Sequence, residues 1–264
     1  MISDFFLALL LALIQGLTEF LPVSSSAHLL FPSLLFGAKD FGIVFDISVH
    51  AGTLAAVIYF FKKEIQGLIY AWMPWRQTRS KEDFSLGLNL LVATLPIVIV
   101  GLFASDLTES RSSSINSIAW ANLVFAGLLY AAFKSSSQSK SLTELTLFAA
   151  LIIGCFQALA VFPGASRSGM AITGALIIGL NIKDTSKFAF LLSIPTILGA
   201  LILMLAKGAY SIALSDMFIM LTGFTASALI AFFTIKTFLQ FVAKIGMTPF
   251  VLYRVALGLV LLLL

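Results

Sequence analysis

Apolar residues occur in ten stretches, at roughly 3–21, 22–36, 43–61, 84–105, 113–133, 145–163, 164–181, 186–206, 217–235 and 248–264. A helix that crosses a membrane needs about 20 apolar residues, because each adds about 1.5 Å against about 30 Å of hydrocarbon. The 22–36 stretch is too short to cross; it begins at Pro22 and carries Ser24, Ser25, Ser26 and His28. The 145–163 and 164–181 stretches meet at Pro163-Gly164 and carry Arg167. The pairs 3–21 with 22–36 and 145–163 with 164–181 therefore read as helices broken inside the membrane. Non-helical backbone at that depth survives only where protein buries it or water reaches it. The pattern predicts an all-α polytopic membrane protein with two re-entrant helix hairpins and about six full transmembrane helices.

The two breaks resemble each other. One reads QGLTEFLPVSSSA from Gln15 to Ala27 and the other QALAVFPGASRSG from Gln157 to Gly169. Gln, Phe, Pro and a Ser-x-Ser-small run recur in order. The Ser/Lys linker from Lys134 to Ser141 separates two sets of five stretches, 1–133 and 145–264, within a single membrane domain 1–264. The pattern reads as an internal duplication. Five stretches per half is an odd number, and so are the three spans left if each hairpin is re-entrant. The second half then enters from the opposite face, as an inverted-topology repeat.

Loop charge orients this arrangement. The 62–82 loop holds Lys62, Lys63, Arg76, Arg79 and Lys81 and is expected to be cytoplasmic; the 106–112 loop is then outside. Lys134, Lys140, Lys183, Lys187, Lys236 and Lys244 fall inside, with one hairpin dipping in from each face.

Composition agrees. Of 264 residues, 60% are hydrophobic and only 11% charged, less than half the usual share of about 25% in soluble domains. Mean hydropathy is +1.07. The net charge of +4 is spread thinly along the chain, which argues against a nucleic-acid partner. Cys155 is the single cysteine, so no intrachain disulfide forms. The start MISDFF has Asp4 and no basic segment, and reads as uncleaved.

Ionisable groups inside apolar stretches are costly and by default functional. Glu19, His28, Asp46, His50 and Arg167 are such groups. Glu19 can hold a metal ion, orient water, or pair with Arg167. Ser24, Ser25 and Ser26 follow the break; one serine can cap the next helix, and the central Ser25 is the best nucleophile candidate. His28 lies about one turn further on and can give or take a proton. Arg167 sits among Gly164, Ser166, Ser168 and Gly169, small residues that let backbone N–H groups approach an anion, while its fork matches phosphate. Asp46 and His50 share a helix face at i,i+4, as metal ligands or as a structural pair. Arg254 is expected to snorkel to the cytoplasmic face.

Two hairpin tips meeting near the midplane would set an anion clamp against an acid, hydroxyls and a base. Phosphoryl transfer needs such a set, since it depends on positioning and charge neutralisation. A divalent cation, Mg2+ or Ca2+, would let Glu19 and a phosphate share the site.

The motifs EFLPVSSSAH (Glu19 to His28) and PGASRSG (Pro163 to Gly169), with the HAGTL run from His50 to Leu54, resemble the undecaprenyl-pyrophosphate phosphatase family of the bacitracin-resistance type. The resemblance covers essentially the whole chain. It implies an enzyme of the bacterial inner membrane, opening to the periplasmic side. It implies cleavage of undecaprenyl pyrophosphate to undecaprenyl phosphate, the carrier lipid of cell-wall synthesis, with a divalent cation. It makes Glu19 the essential glutamate and metal ligand, Ser25 and His28 the nucleophile and its partner, and Arg167 the phosphate-binding arginine. Gln15, Ser24, Ser26, Gly164, Ser166, Ser168 and Gly169 are the expected substrate contacts. Some members carry Glu where this chain has Gln15, leaving one carboxylate in that motif here, and Ala27 replaces a Gly often found before the His. Attack by Ser25 and attack by water activated by His28 both remain open. Expected partners are undecaprenyl pyrophosphate, membrane lipid and, optionally, a second copy of the chain. A carrier-lipid flippase or transporter of the same inverted-repeat fold is the rival reading.

Overall fold

The computed structural model describes residues 2–73, 75, 80–103, 114–207 and 214–263. The first half contains α1 (Ile2–Thr18), α2 (Ser25–Phe36), α3 (Ile43–Phe60), α4 (Lys62–Trp72), α5 (Lys81–Phe103) and α6 (Ile115–Ser135). The second contains α7 (Leu147–Ala158), α8 (Arg167–Ile178), α9 (Ile182–Lys207), α10 (Leu214–Ile245) and α11 (Thr248–Leu262). Local chemistry explains several ends. Ser114 and Thr146 cap α6 and α7 by accepting the Ser117 and Ala149 N–H groups. Gly37 and Gly179 end α2 and α8 in the left-handed conformation.

Among the described residues, five helices are long and apolar enough to cross a membrane: α3, α5, α6, α9 and α10. The sixth expected span, α11, has 15 residues, about 22 Å of helix against about 30 Å of hydrocarbon. Both expected breaks occur. The helix stops at Thr18 and restarts at Ser25, and stops after a 3-10 turn at Val161 and restarts at Arg167. The 62–82 segment is not a plain loop, because Lys62 and Lys63 open α4. Arg76, Arg79 and the 106–112 segment lie outside the described residues.

The halves are threaded through one another. α1 packs on α10, and α7 packs on α5. The first helix of each half thus lies on the fourth apolar stretch of the other. α3 joins α1 against α10 and also touches α9, while α6 packs on α11. In lipid, close backbone approach holds helices together better than bulk apolarity does. Gly154 shows this: a Cβ there would collide with the Ala93 backbone of α5. α8 is enclosed, buried from Ser168 to Leu176 between α6, α7 and α9. The Lys134–Ser141 linker is pinned rather than loose. Lys140 exchanges backbone bonds with Gly179 and Asn181, and Ser136 Oγ donates to Leu176 O at the end of α8.

Candidate active site

The two breaks converge. Ser24 precedes α2 and Ser166 precedes α8, and each has φ 73°. Holding a non-glycine residue there costs on the order of 1–3 kcal/mol. The shared strain sits at matching places, since Gln15 to Ser24 and Gln157 to Ser166 are the same span of sequence. It lets each helix start abruptly, with its N–H groups aimed at common ground. Ser25 and Arg167 are the first residues of the two helices.

Glu19 joins them. Arg167 Nη2 donates to Glu19 Oε1 at 2.6 Å, and Ser25 Oγ donates to Glu19 Oε2 at 2.7 Å. Gln15 Nε2 donates to the same Oε2 at 2.8 Å. His50 Nε2 lies 3.8 Å from Oε2. His50 Nδ1 contacts the Asp46 carbonyl at 2.7 Å. A carbonyl only accepts, so Nδ1 carries a proton and Nε2 is the ring nitrogen turned to Glu19. Glu19 is 7% exposed, and a carboxylate so enclosed needs these partners. Arg167 Nη1 is buried with no hydrogen-bond partner.

A cavity of about 290 Å3 opens over this group. Glu19, Ser24, Ser25, Ser166 and Arg167 line it, with Asp46 and His50 from α3. Lys39, Asp40 and Phe41 line it from the segment between α2 and α3, and Ile197 and Leu201 from α9 give it an apolar wall. A guanidinium with one free arm, a hydroxyl bonded to a carboxylate and two helix N-termini form an anion site with a nucleophile in it.

Not every expected contact faces the cavity. His28 does not line it. Its Nδ1 donates to Ser24 O at 2.7 Å, and its Nε2 accepts from Tyr253 Oη at 2.6 Å. The two rings stack with centroids 5.7 Å apart. Ser168 Oγ donates to Leu21 O at 2.8 Å and ties one break to the other. The Gly169 N–H donates to Ser166 Oγ at 3.1 Å, capping α8. Gly164 has φ 97°, and a Cβ there would lie 2.6 Å from Ile118 O. Gly164, Ser168, Gly169 and His28 thus hold the breaks together and stand outside the cavity lining, as does Gln15, which is 0% exposed and bonds Glu19 from behind. Ser26 lies outside the residues whose side chains are described.

Arg254 corrects the snorkelling expectation. It is 0% exposed. Its Nε donates to Asn122 Oδ1 and its Nη2 to Gly164 O, both at 2.8 Å. Its Nη1 approaches Pro22 O at 3.5 Å. Asn122 Nδ2 returns a bond to the Arg254 carbonyl at 2.7 Å. One guanidinium therefore reaches both breaks and satisfies carbonyls that the broken helices leave open. Sequence reasoning missed the roles of Arg254, Tyr253 and Asn122. The available signal was an arginine inside the apolar run PFVLYRVALG.

A divalent ion fits this donor set only as one shared with substrate. Among the described residues no group of three His, Cys, Asp or Glu could hold a metal. Ions of the Mg2+ type, however, are commonly held by one or two carboxylates plus substrate phosphates.

Comparison with known proteins agrees with this geometry. A family model described as bacitracin resistance protein BacA matches residues 8–260. An undecaprenyl-diphosphatase of Saccharophagus degradans is 44% identical over 257 residues, 97% of this chain and 96% of the relative. One of Alcanivorax borkumensis is 44% identical over 260 residues, 98% of both chains. One of Teredinibacter turnerae is 42% identical over 266 residues, 98% of both chains. A family match over nearly the whole length, with both motifs meeting at one buried carboxylate, makes this chain a member of the BacA family.

Proposed function

We propose that the protein is an integral membrane phosphatase that cleaves undecaprenyl pyrophosphate to undecaprenyl phosphate and inorganic phosphate. The observation that carries this reading is the free Nη1 of Arg167. It sits buried beside a Ser25–Glu19 hydrogen bond at two helix N-termini. A buried guanidinium arm without an acceptor calls for an anion. The relatives' shared name supplies the substrate class.

In this reading Arg167 and the N–H groups opening α2 and α8 clamp the terminal phosphate. Ser25 Oγ attacks its phosphorus while its proton passes to Glu19 Oε2. An Oγ–P bond forms, and the anhydride P–O bond breaks with its electron pair on undecaprenyl phosphate. That leaving group is a phosphate monoester with a second pKa of about 6, so it departs without a proton donor. Water then attacks the phosphoserine, the Oγ–P bond breaks, and Glu19 returns its proton to Ser25. The proton lost by water leaves with the inorganic phosphate. His50 Nε2 lies 3.8 Å from the same Glu19 oxygen, beside the group that takes and returns the proton. His28, held by Tyr253 and Ser24 O, supports the start of α2. Ser24 and Ser166 complete the phosphate surroundings, while buried Gln15 acts from behind, holding Glu19 Oε2. Glu19 would hold a divalent ion together with the phosphate oxygens, and such an ion, when bound, would offset pyrophosphate charge.

The proposed setting is the bacterial inner membrane, with the cavity open to the periplasmic side. The α1–α2 and α7–α8 pairs are the two re-entrant hairpins of an inverted repeat, 1–133 and 145–264. The matched strain at Ser24 and Ser166 and the reciprocal packing of α1 on α10 and α7 on α5 support that symmetry. A homodimer is part of this reading as an expectation, tested by the mass of the detergent-solubilised particle.

The test is phosphate release from undecaprenyl pyrophosphate by purified protein. Arg167→Ala should lose on the order of 10²–10³ in rate, the scale for removing a charge-stabilising group; Glu19→Gln should lose on the order of 10²–10⁴, the scale for a general base, and Ser25→Ala on the order of 10⁶, since the attacking group itself is gone. Near wild-type rates in all three folded variants would overturn the site. Lipid translocation without hydrolysis would favour a transporter instead.

A further inference from the structure

A second concave feature lies at the far end of α3. From His50 to Phe60 the helix climbs ten residues, about 15 Å away from the cavity. There, where α3 gives way to α4, a groove of about 550 Å3 runs between this corner and α10. Tyr59, Phe60, Phe232 and Leu239 form its apolar wall, and Lys62 and Lys236 stand on it. The aromatic wall is continuous: Phe232 lies 5.8 Å from the Tyr59 ring and 5.7 Å from the Phe60 ring. Lys62 Nζ sits 4.4 Å from the Tyr59 ring centroid.

The charge here is one-sided. Neither Lys62 nor Lys236 has an ion pair among the described residues, and the nearby Glu64 is engaged by Lys187 at 3.2 Å. Depth is marked as well. Exposed Tyr59 stands at this corner, and exposed Tyr70, Trp72 and Trp75 follow at the far end of α4 and just after it, the residue types found where bilayer meets water. An apolar trough capped by two lysines at headgroup level matches one class of molecule. Its phosphate is anionic and its chains run down between helices.

We propose that this groove is a binding site for a phospholipid with an anionic headgroup. The phosphate lies between Lys62 and Lys236, and an acyl chain lies along Phe232 and Leu239. The site is separate from the Glu19 cavity and does not rest on the phosphatase reading.

The test is native mass spectrometry of the full-length protein released from bilayers of equimolar phosphatidylglycerol and phosphatidylcholine with identical chains. Each basic residue near an anionic surface is worth about fivefold in affinity, so two give about 25-fold selectivity for retained phosphatidylglycerol. Lys62→Gln and Lys236→Gln should each remove about fivefold of it and the double variant nearly all. The thermal unfolding midpoint in detergent should stay unchanged, as a check on folding. Equal retention of both lipids by the wild-type protein overturns the proposal without recourse to a variant. So does displacement of the retained lipid by excess inorganic phosphate, which would mark a site for the free ion. Undiminished selectivity in the double variant would likewise overturn it.

Discussion

Replacing Arg254 by leucine is the sharpest test of how the two breaks are joined. The guanidinium makes two good hydrogen bonds at 2.8 Å, to Asn122 Oδ1 and Gly164 O, and a marginal one to Pro22 O. Leucine fills similar volume and leaves two buried acceptors empty, at about 1–3 kcal/mol each. Part of this is returned, because leucine has no buried charge to desolvate. The net loss should be about 2–4 kcal/mol, on the order of a 5–10 °C fall in the unfolding midpoint. Gly164 lies three residues before Arg167, so a released break also misplaces the clamp, and misplacement of about 1 Å costs on the order of 10²-fold in rate. The assays are thermal unfolding in detergent and phosphate release on the same preparations. Arg254→Lys should fall between, since one ammonium cannot span both acceptors. An unshifted midpoint with full activity in Arg254→Leu would refute the argument that this side chain couples the breaks.

Three further outcomes follow from the geometry. His50→Asn should cut phosphate release more than it cuts stability, and His28→Asn should do the reverse, because only His50 faces Glu19 in the cavity; paired rate and unfolding measurements decide it. Gly164→Ala should destabilise by at least about 1–3 kcal/mol, since alanine at φ 97° is strained and its Cβ meets Ile118 O; an unfolding midpoint equal to wild type would contradict this. Chelation with EDTA should slow hydrolysis and added Mg2+ should restore it, while Glu19→Gln should weaken the dependence on Mg2+ concentration; a chelator-insensitive wild-type rate removes the shared ion from the scheme.

Much of the fold was legible because lipid imposes a length rule. Apolar runs of about 20 residues must be helices with internally satisfied backbone, and the spans near 43–61, 84–105, 113–133, 186–206 and 217–235 appear as α3, α5, α6, α9 and α10. The breaks were equally legible, since Pro22 and the Pro163-Gly164 pair interrupt runs that would otherwise continue. The last stretch forms α11, whose 15 residues fall short of the same length rule. α4 was hidden because its mixed KKEIQGLIYAW pattern carries too much charge to stand out as an apolar run.

What the sequence by itself determined is the list of costly groups: a carboxylate, a serine run, two histidines and an arginine where hydrocarbon is expected. Motif position even pointed Glu19, Ser25 and Arg167 toward one another across 148 residues. Which histidine faces the carboxylate was a tertiary decision. His28 is next to the serines in sequence, yet α2 turns it to Tyr253, while His50 arrives from α3. Arg254 likewise reads from sequence as an end-of-helix charge seeking water. Only the packing of α11 against α6 places it beside open carbonyls of both breaks. Periodicity and composition record what a side chain costs in lipid. They do not record which distant backbone groups are left wanting a donor, because that depends on where the other helices end.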